Sequence, residues 1–271
     1  MKVFYINLNE IDKKYEKMKE IRIVPLADIH IGDELLDHKL LKQTIEYIKN
    51  NDNVFTILNG DLMNTALKNS VSDIYSETLT PMEQIDALLE LLEPIKDKIL
   101  VATCGNHERR IEKDTSVDIM NLVMKQLGLG HRYTSGSFYL YLYFGEKTQG
   151  RKAPMVYTIY GYHGSGGGRK TGGKINRAIE MSNVCIADIY LMSHVHEPIG
   201  TKKVIYLPDY SNKALNKKEM LYAISNSFLK YGGYAEQFGF TPVSTSRIEL
   251  ILNGQEREVK ILIWKEEKND N

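Results

Sequence analysis

Hydrophobic residues along the chain gather into short continuous runs bounded by polar turns, the pattern of strands buried on both faces. Residues 21–27, 54–58, 99–103, 155–160 and 187–192 are such runs. Between them the period changes. Leu35, Leu36, Leu40, Leu41, Ile45 and Ile48 predict an amphipathic helix over about 34–50. Thr80-Pro81-Met82-Glu83 supplies a helix start: a capping threonine, proline at the first helical position and a glutamate completing the capping box. Further helices are expected near 115–127, stopped by Gly128, and over 175–182. Phe138–Phe144 alternates Tyr139, Tyr141 and Tyr143 with aliphatic or phenyl side chains. That period of two predicts a half-buried strand whose tyrosines face another layer of the fold.

A strand candidate at 3–8 and a charged connection over 12–20 precede the first core run. After residue 200 the chain turns strand-rich, with runs at 203–207 and 220–228 and a hairpin whose strands flank Asn253-Gly254. Helix-strand alternation followed by strands predicts an α/β fold of two sheets packed face to face with helices outside.

Five of the seven histidines stand at the ends of these runs: His30, His107, His163, His194 and His196. Asp28, Asp61 and Asn106 stand beside them, whereas His38 and His131 read as surface residues. Gly105 permits a sharp turn that would lift Asn106 and His107 above the sheet edge, where binding and catalysis concentrate in open α/β sheets. Ligand-bearing ends run from 28 to 196, so one domain over 1–271 is expected, with a core about 21–200 and a β-rich elaboration about 201–265. Mixed histidine, carboxylate and amide ligands suit Mn²⁺, Fe²⁺, Zn²⁺ or Ni²⁺ better than Ca²⁺. The set suffices for two divalent ions, Mn²⁺ first among them, with a shared carboxylate between. Such a pair suits hydrolysis of a phosphate ester.

The charge balance, 35 basic against 35 acidic residues, gives no global field for nucleic acid or membrane. An anionic substrate must therefore be held locally or by bound cations. Cys104 and Cys185 adjoin apolar runs and are expected as buried free thiols. With no signal-peptide pattern and no run approaching the roughly 18 apolar residues of a membrane span, the reading is a cytoplasmic protein without an obligate protein partner.

In order and rough spacing, Asp28-x-His30, Gly60-Asp61, Gly105-Asn106-His107-Glu108, His163 and His194-x-His196 resemble the calcineurin-like metallophosphoesterases over about 21–200. The resemblance implies a four-layer αββα sandwich with a two-metal site. It places Asp28, His30 and His196 on one ion and Asn106, His163 and His194 on the other, with Asp61 bridging. His107 would be the general acid that protonates the leaving oxygen, a role imidazole suits near neutral pH, and Asn64 would orient it. Ser193 replaces the usual glycine, and Leu62-Met63-Asn64-Thr65-Ala66 departs from the Asp and Arg of the protein phosphatases, which argues against a phosphoprotein substrate. Leu26-Ala27-Asp28-Ile29-His30-Ile31-Gly32 and Gly-Asn-His-Glu-Arg are similar to the nuclease branch of double-strand-break repair.

Beside His163, the glycine-rich stretch 164–173 could cradle phosphate on its N–H groups. Arg169, Lys170, Lys174 and Arg177 add positive charge there, and Arg109 follows the Gly-Asn-His-Glu motif. Tyr231, Tyr234, Phe238 and Phe240 form a second candidate wall for stacking on bases. The reading is a nuclease-type phosphodiesterase acting on DNA or RNA. A phosphodiesterase of small or cyclic nucleotides is the alternative. A non-catalytic scaffold is the third reading, against which the intact ligand set argues.

Overall fold

The computed structural model describes residues 1–68, 74–146, 154–168, 170–243 and 246–265. In chain order the strands are β1 (Lys2–Asn7), β2 (Glu20–Leu26), β3 (Val54–Asn59), β4 (Ile99–Thr103), β5 (Tyr133–Thr134), β6 (Phe138–Phe144), β7 (Met155–Gly161), β8 (Ile189–Met192), β9 (Ile199–Asp209), β10 (Ala214–Ile224), β11 (Ser246–Asn253) and β12 (Val259–Lys265). The helices are α1 (Leu8–Ile11), α2 (His38–Asn50), α3 (Pro81–Leu92), α4 (Asn106–Thr115), α5 (Ile119–Gln126), α6 (Thr171–Glu180) and α7 (Gly233–Gln237). The wholly apolar runs take the middle of two six-stranded sheets, where both faces need covering. The first sheet has the order β12-β11-β2-β3-β4-β5 and the second β1-β6-β7-β8-β10-β9.

Four layers result. Ile23, Phe55, Ile57 and Val101 of the first sheet meet Phe138, Leu140, Ile159 and Leu221 of the second in the central core. On the outer face of the first sheet, Leu40, Ile45, Leu88 and Val123 bring α2, α3 and α5 against Val24, Leu58 and Ala102. On the far side, Ala178 of α6 packs with Tyr160, Tyr190 and Tyr222. This is the αββα sandwich the sequence predicts. Parallel pairing of β2, β3 and β4 brings three carboxyl ends to one rim, and parallel β7, β8 and β10 do the same in the other sheet.

Some elements depart from expectation. The helix expected near 115–127 is α5, and an unexpected helix, α4, precedes it and ends where Ser116 takes a left-handed conformation (φ +62°). α4 was hidden because Ile111 is its one aliphatic side chain. α6 starts at Thr171, with Gly172 and Gly173 in its first turn. β9 and β10 form a hairpin much longer than the expected runs, most of its outer half exposed. Cys104 is buried but Cys185 is partly exposed, and both are free thiols. Among the described residues no helix is long and apolar enough to cross a membrane.

β7 delivers His163 through Gly161, which pairs with Phe138. A Cβ on Gly161 would lie 2.3 Å from Phe138 Cζ, and the buried ring has nowhere to go. Gly161→Ala is therefore expected to destabilise the fold by about 1–3 kcal/mol, the usual cost of overpacking, read as a lower urea midpoint at constant slope. An unchanged midpoint would mean that β6 and β7 do not meet in this register.

Candidate active site

The ligand-type side chains stand on backbone that L-residues avoid. Asp28 (φ +50°), His30 (+55°), Asp61 (+51°), His194 (+74°) and His196 (+51°) all lie in the left-handed region. Each costs about 1–2 kcal/mol there, and such strain gathers at functional sites. Hydrogen bonds hold the turns in place. Asp28 N donates to Gly60 O (3.1 Å), His30 N to Asp61 O (3.1 Å) and Ser193 N to His163 O (2.8 Å). His194 N donates to Asp28 Oδ2 (2.9 Å), tying the two sheets together at the rim.

The turns after β3 and β4 touch. A Cβ on Gly60 would meet Gly105 N at 2.5 Å, and one on Gly105 would meet Asp61 Oδ1 at 2.1 Å. Glu108, wholly buried in the first turn of α4, fastens them. Its carboxylate accepts from the N–H groups of Asp61 (3.0 Å), Leu62 (2.6 Å), Met63 (3.0 Å) and Gly105 (2.9 Å). Burial, and then the charge of Asp61, push Glu108 up to about 7. The four donors pull the other way, toward the carboxylate.

Side-chain lone pairs converge above these turns. His30 Nε2 and His196 Nε2 lie 3.3 Å apart, and His196 Nε2 lies 3.3 Å from Asp28 Oδ1. His163 Nε2 lies 3.0 Å from Asp61 Oδ2 and 3.1 Å from Asn106 Oδ1. His163 Nδ1 donates to Asn59 O (2.8 Å), which leaves Nε2 to face the site. Burial holds His30 and His194 below the ordinary histidine range, as neutral rings. Burial also opposes charge on His163, but Asp61 beside it lifts it to about 10. Asp28 Oδ1 is buried without a hydrogen-bond partner. Asp28, His30 and His196 form one group able to hold a cation, and Asp61, His163 and His194 another. An orphaned carboxylate oxygen among facing imidazole nitrogens fits divalent ions of the Mn²⁺, Fe²⁺ or Zn²⁺ kind.

With His30 and Asp61, His107 forms a third group able to hold a cation, but its ring is engaged otherwise. Its backbone N–H donates to Asp61 Oδ1 (2.8 Å), and its Nδ1 lies 2.7 Å from Asn64 O. Its Nε2 lies 3.0 Å from Arg110 Nη2 and 3.8 Å from Asp61 Oδ2. Burial, seconded by the Arg110 guanidinium, holds it below the ordinary range. Asn64 thus meets His107 through its carbonyl, while its side chain donates to Glu77 Oε1 (2.6 Å). In the sequence, Glu108 stands in the Gly-Asn-His-Glu motif without an assigned role, and Arg110 is passed over. A glutamate three residues after Gly105 is a capping-box spacing that pointed to the first.

A cleft of about 780 Å³ opens beside Asn106 and His163, with Arg109, Tyr160, Tyr162, Arg177 and Glu180 on its walls. Arg109 also donates to Ser135 O. Arg177 props the glycine stretch by donating to Ser165 O (2.7 Å) and Gly167 O (3.1 Å). Lys174 is buried against Glu197 (2.8 Å) rather than directed at a ligand, and Lys170 is exposed at the start of α6. Arg169 lies outside the described residues. In the second wall, Tyr231 and Phe238 are exposed and Tyr231 donates to Phe240 O (3.1 Å); the Tyr234 side chain lies outside what is described.

Since Glu108 sets the direction of Asp61, Glu108→Gln is expected to weaken Mn²⁺ binding by about 10–100-fold, the usual effect of losing a group that orients a ligand. Calorimetric titration of the metal-free protein measures it, and an unchanged affinity would mean that Asp61 is held without Glu108.

The family model for calcineurin-like phosphoesterases matches residues 21–222. No curated protein matches the sequence. Among solved structures, the Thermotoga maritima protein TM1076 is similar at 14% identity, covering 90% of this chain and 99% of its own, with a TM-score of 0.36. The calcineurin-like phosphoesterase YfkN from Bacillus subtilis is similar at 11% identity, covering 91% and 90%, with a TM-score of 0.37. At these TM-scores neither likeness bears on the fold. The matched span contains every ligand-type residue from Asp28 to His196, and the chain belongs to the calcineurin-like phosphoesterases, metal-dependent hydrolases of phosphate esters.

Proposed function

We propose that this phosphoesterase is a nuclease-type phosphodiesterase, cleaving DNA or RNA with two Mn²⁺ ions. The observation that carries the reading is the cleft opening from Asn106 and His163. Its volume of about 780 Å³ suits a nucleotide, and its walls pair guanidinium groups with Tyr160 and Tyr162. Asp28, His30 and His196 would hold one ion and Asn106, His163 and His194 the other, with Asp61 shared. Divalent ions in such a place supply Lewis acidity to phosphoryl oxygens and a water nucleophile near neutral pH. The protein does the rest. The Asn64 carbonyl fixes the His107 ring through Nδ1, so Nε2 faces the reacting centre and delivers the proton to the leaving oxygen. Arg110 occupies Nε2, and its guanidinium must give way to that proton and turn to a phosphate oxygen.

The same cleft, large enough for a whole mononucleotide, favours small or cyclic nucleotides as the second reading. Rates on bis-p-nitrophenyl phosphate, p-nitrophenyl phosphate, cyclic nucleotides, DNA and RNA with Mn²⁺ decide between them. The expected result is cleavage of the diester and of polynucleotides ahead of the monoester. Turnover of cyclic nucleotides alone would replace the first reading by the second.

Metal analysis of Mn²⁺-loaded protein should give about two ions per chain, and fewer in Asp61→Ala. A stoichiometry of one in the unaltered protein would remove the shared-carboxylate assignment.

His107→Ala should keep its metal yet lose roughly 10²–10⁴ in turnover, the worth of a positioned acid. The loss should shrink when p-nitrophenolate leaves, because that group needs little protonation. Equal losses on every substrate would make His107 a positioning residue.

A further inference from the structure

The tyrosine row of β6 takes no part in the site above. It lies at the β1–β6 side of the second sheet's outer face: α6 packs on β8 and β10, its apolar cluster reaches Tyr160 and Tyr139, and α1 contacts β6. Pairing of β1, β6 and β7 sets three outward rows side by side: Val3, Tyr139 and Tyr160; Tyr5, Tyr141 and Thr158; Asn7, Tyr143 and Val156. None of these positions carries a carboxylate. Tyr5 is 70% exposed and lies flat on Tyr141, ring centroids 4.9 Å apart and planes 5° apart. Tyr139 tilts against Tyr141 at 5.1 Å.

Two further observations say what such a face could hold. The row begins at the cleft: Ser137, just before β6, and Tyr160, the partner of Tyr139, both line it. Positive charge also adjoins the middle row. Thr158 donates to Asp188 (2.9 Å), and that one carboxylate receives both Lys218 and Arg257. Outward residues on one strand are about 7 Å apart, a span that one nucleotide of an extended strand bridges. Tyrosine rings stack on any base, and their hydroxyls keep the face wetted.

We infer that this face binds single-stranded nucleic acid and leads it along Tyr143, Tyr141 and Tyr139 into the cleft. The inference rests on the nuclease reading and adds the path by which substrate arrives. Bases stacked there supply affinity only to substrates long enough to reach them.

The test compares a dinucleotide, a single-stranded dodecamer and bis-p-nitrophenyl phosphate, with fluorescence anisotropy of the labelled dodecamer measured in parallel. In Tyr5→Ala/Tyr141→Ala the KM and Kd for the dodecamer should rise about tenfold or more, since stacking each base on an aromatic ring is worth that much. The dinucleotide and the small diester should be unaffected, and Tyr5→Phe/Tyr141→Phe should behave as the unaltered protein. Equal affinity for dinucleotide and dodecamer, or a dodecamer KM indifferent to the alanines, overturns the inference. Tight dodecamer binding that the alanines abolish, without cleavage of any polynucleotide, would keep the surface and remove the nuclease reading. A dimer in sedimentation that the alanines dissociate would assign the face to a second copy and overturn the proposal.

Discussion

The site depends on two buried turns that have to touch. β3 ends in Gly60-Asp61 and β4 in Gly105-Asn106, and neither glycine has space for a methyl group. Only because the turns meet can Asp61 Oδ1 take the His107 N–H while Glu108 gathers N–H groups from both. Hydrogen bonds to a carboxylate are stronger than neutral ones, and these are sealed from water. Glu108 has no free oxygen to offer a substrate. Its contribution is to aim Asp61, and through Asp61 everything that Asp61 can hold.

That aim has an energetic cost the rest of the fold must offset. Five ligand-type residues in left-handed backbone cost about 5–10 kcal/mol in sum, which rivals the whole net stability of a domain, about 5–15 kcal/mol. The core between the sheets, built from Ile23, Phe55, Ile57, Leu140 and Leu221 among others, is what makes such turns tolerable. A smaller or looser sandwich could not carry them.

The strands were legible because runs such as 54–58 and 99–103 are buried on both faces and so are continuously apolar. The ligands were legible because each follows such a run directly. What escaped has a shared physical character. α4 buries Glu108 instead of an apolar stripe, so its period is invisible to a hydrophobic reading. The β9–β10 hairpin is solvated on both faces over much of its length, so it leaves no alternation to find. The basic residues after His163 read as phosphate contacts, but Lys174 closes on Glu197 and Arg177 on the Ser165 and Gly167 carbonyls. Those partners are set by how α6 lands against the rim, which spacing alone does not encode. Asn64 is the intermediate case: the position meets His107, through a backbone atom that any residue would supply.

The ligand-type residues are divided between the sheets. Asp28, Asp61 and Asn106 follow β2, β3 and β4, whereas His163, His194 and His196 follow β7 and β8. Cations held by both sets would be rivets through the seam of the sandwich, joining layers that otherwise adhere mainly by apolar contact. Anything that binds only the folded state adds stability by mass action, about 2.7 kcal/mol at a hundred times its dissociation constant. In a metal-starved cell the chain would lose a fastening along with its reaction.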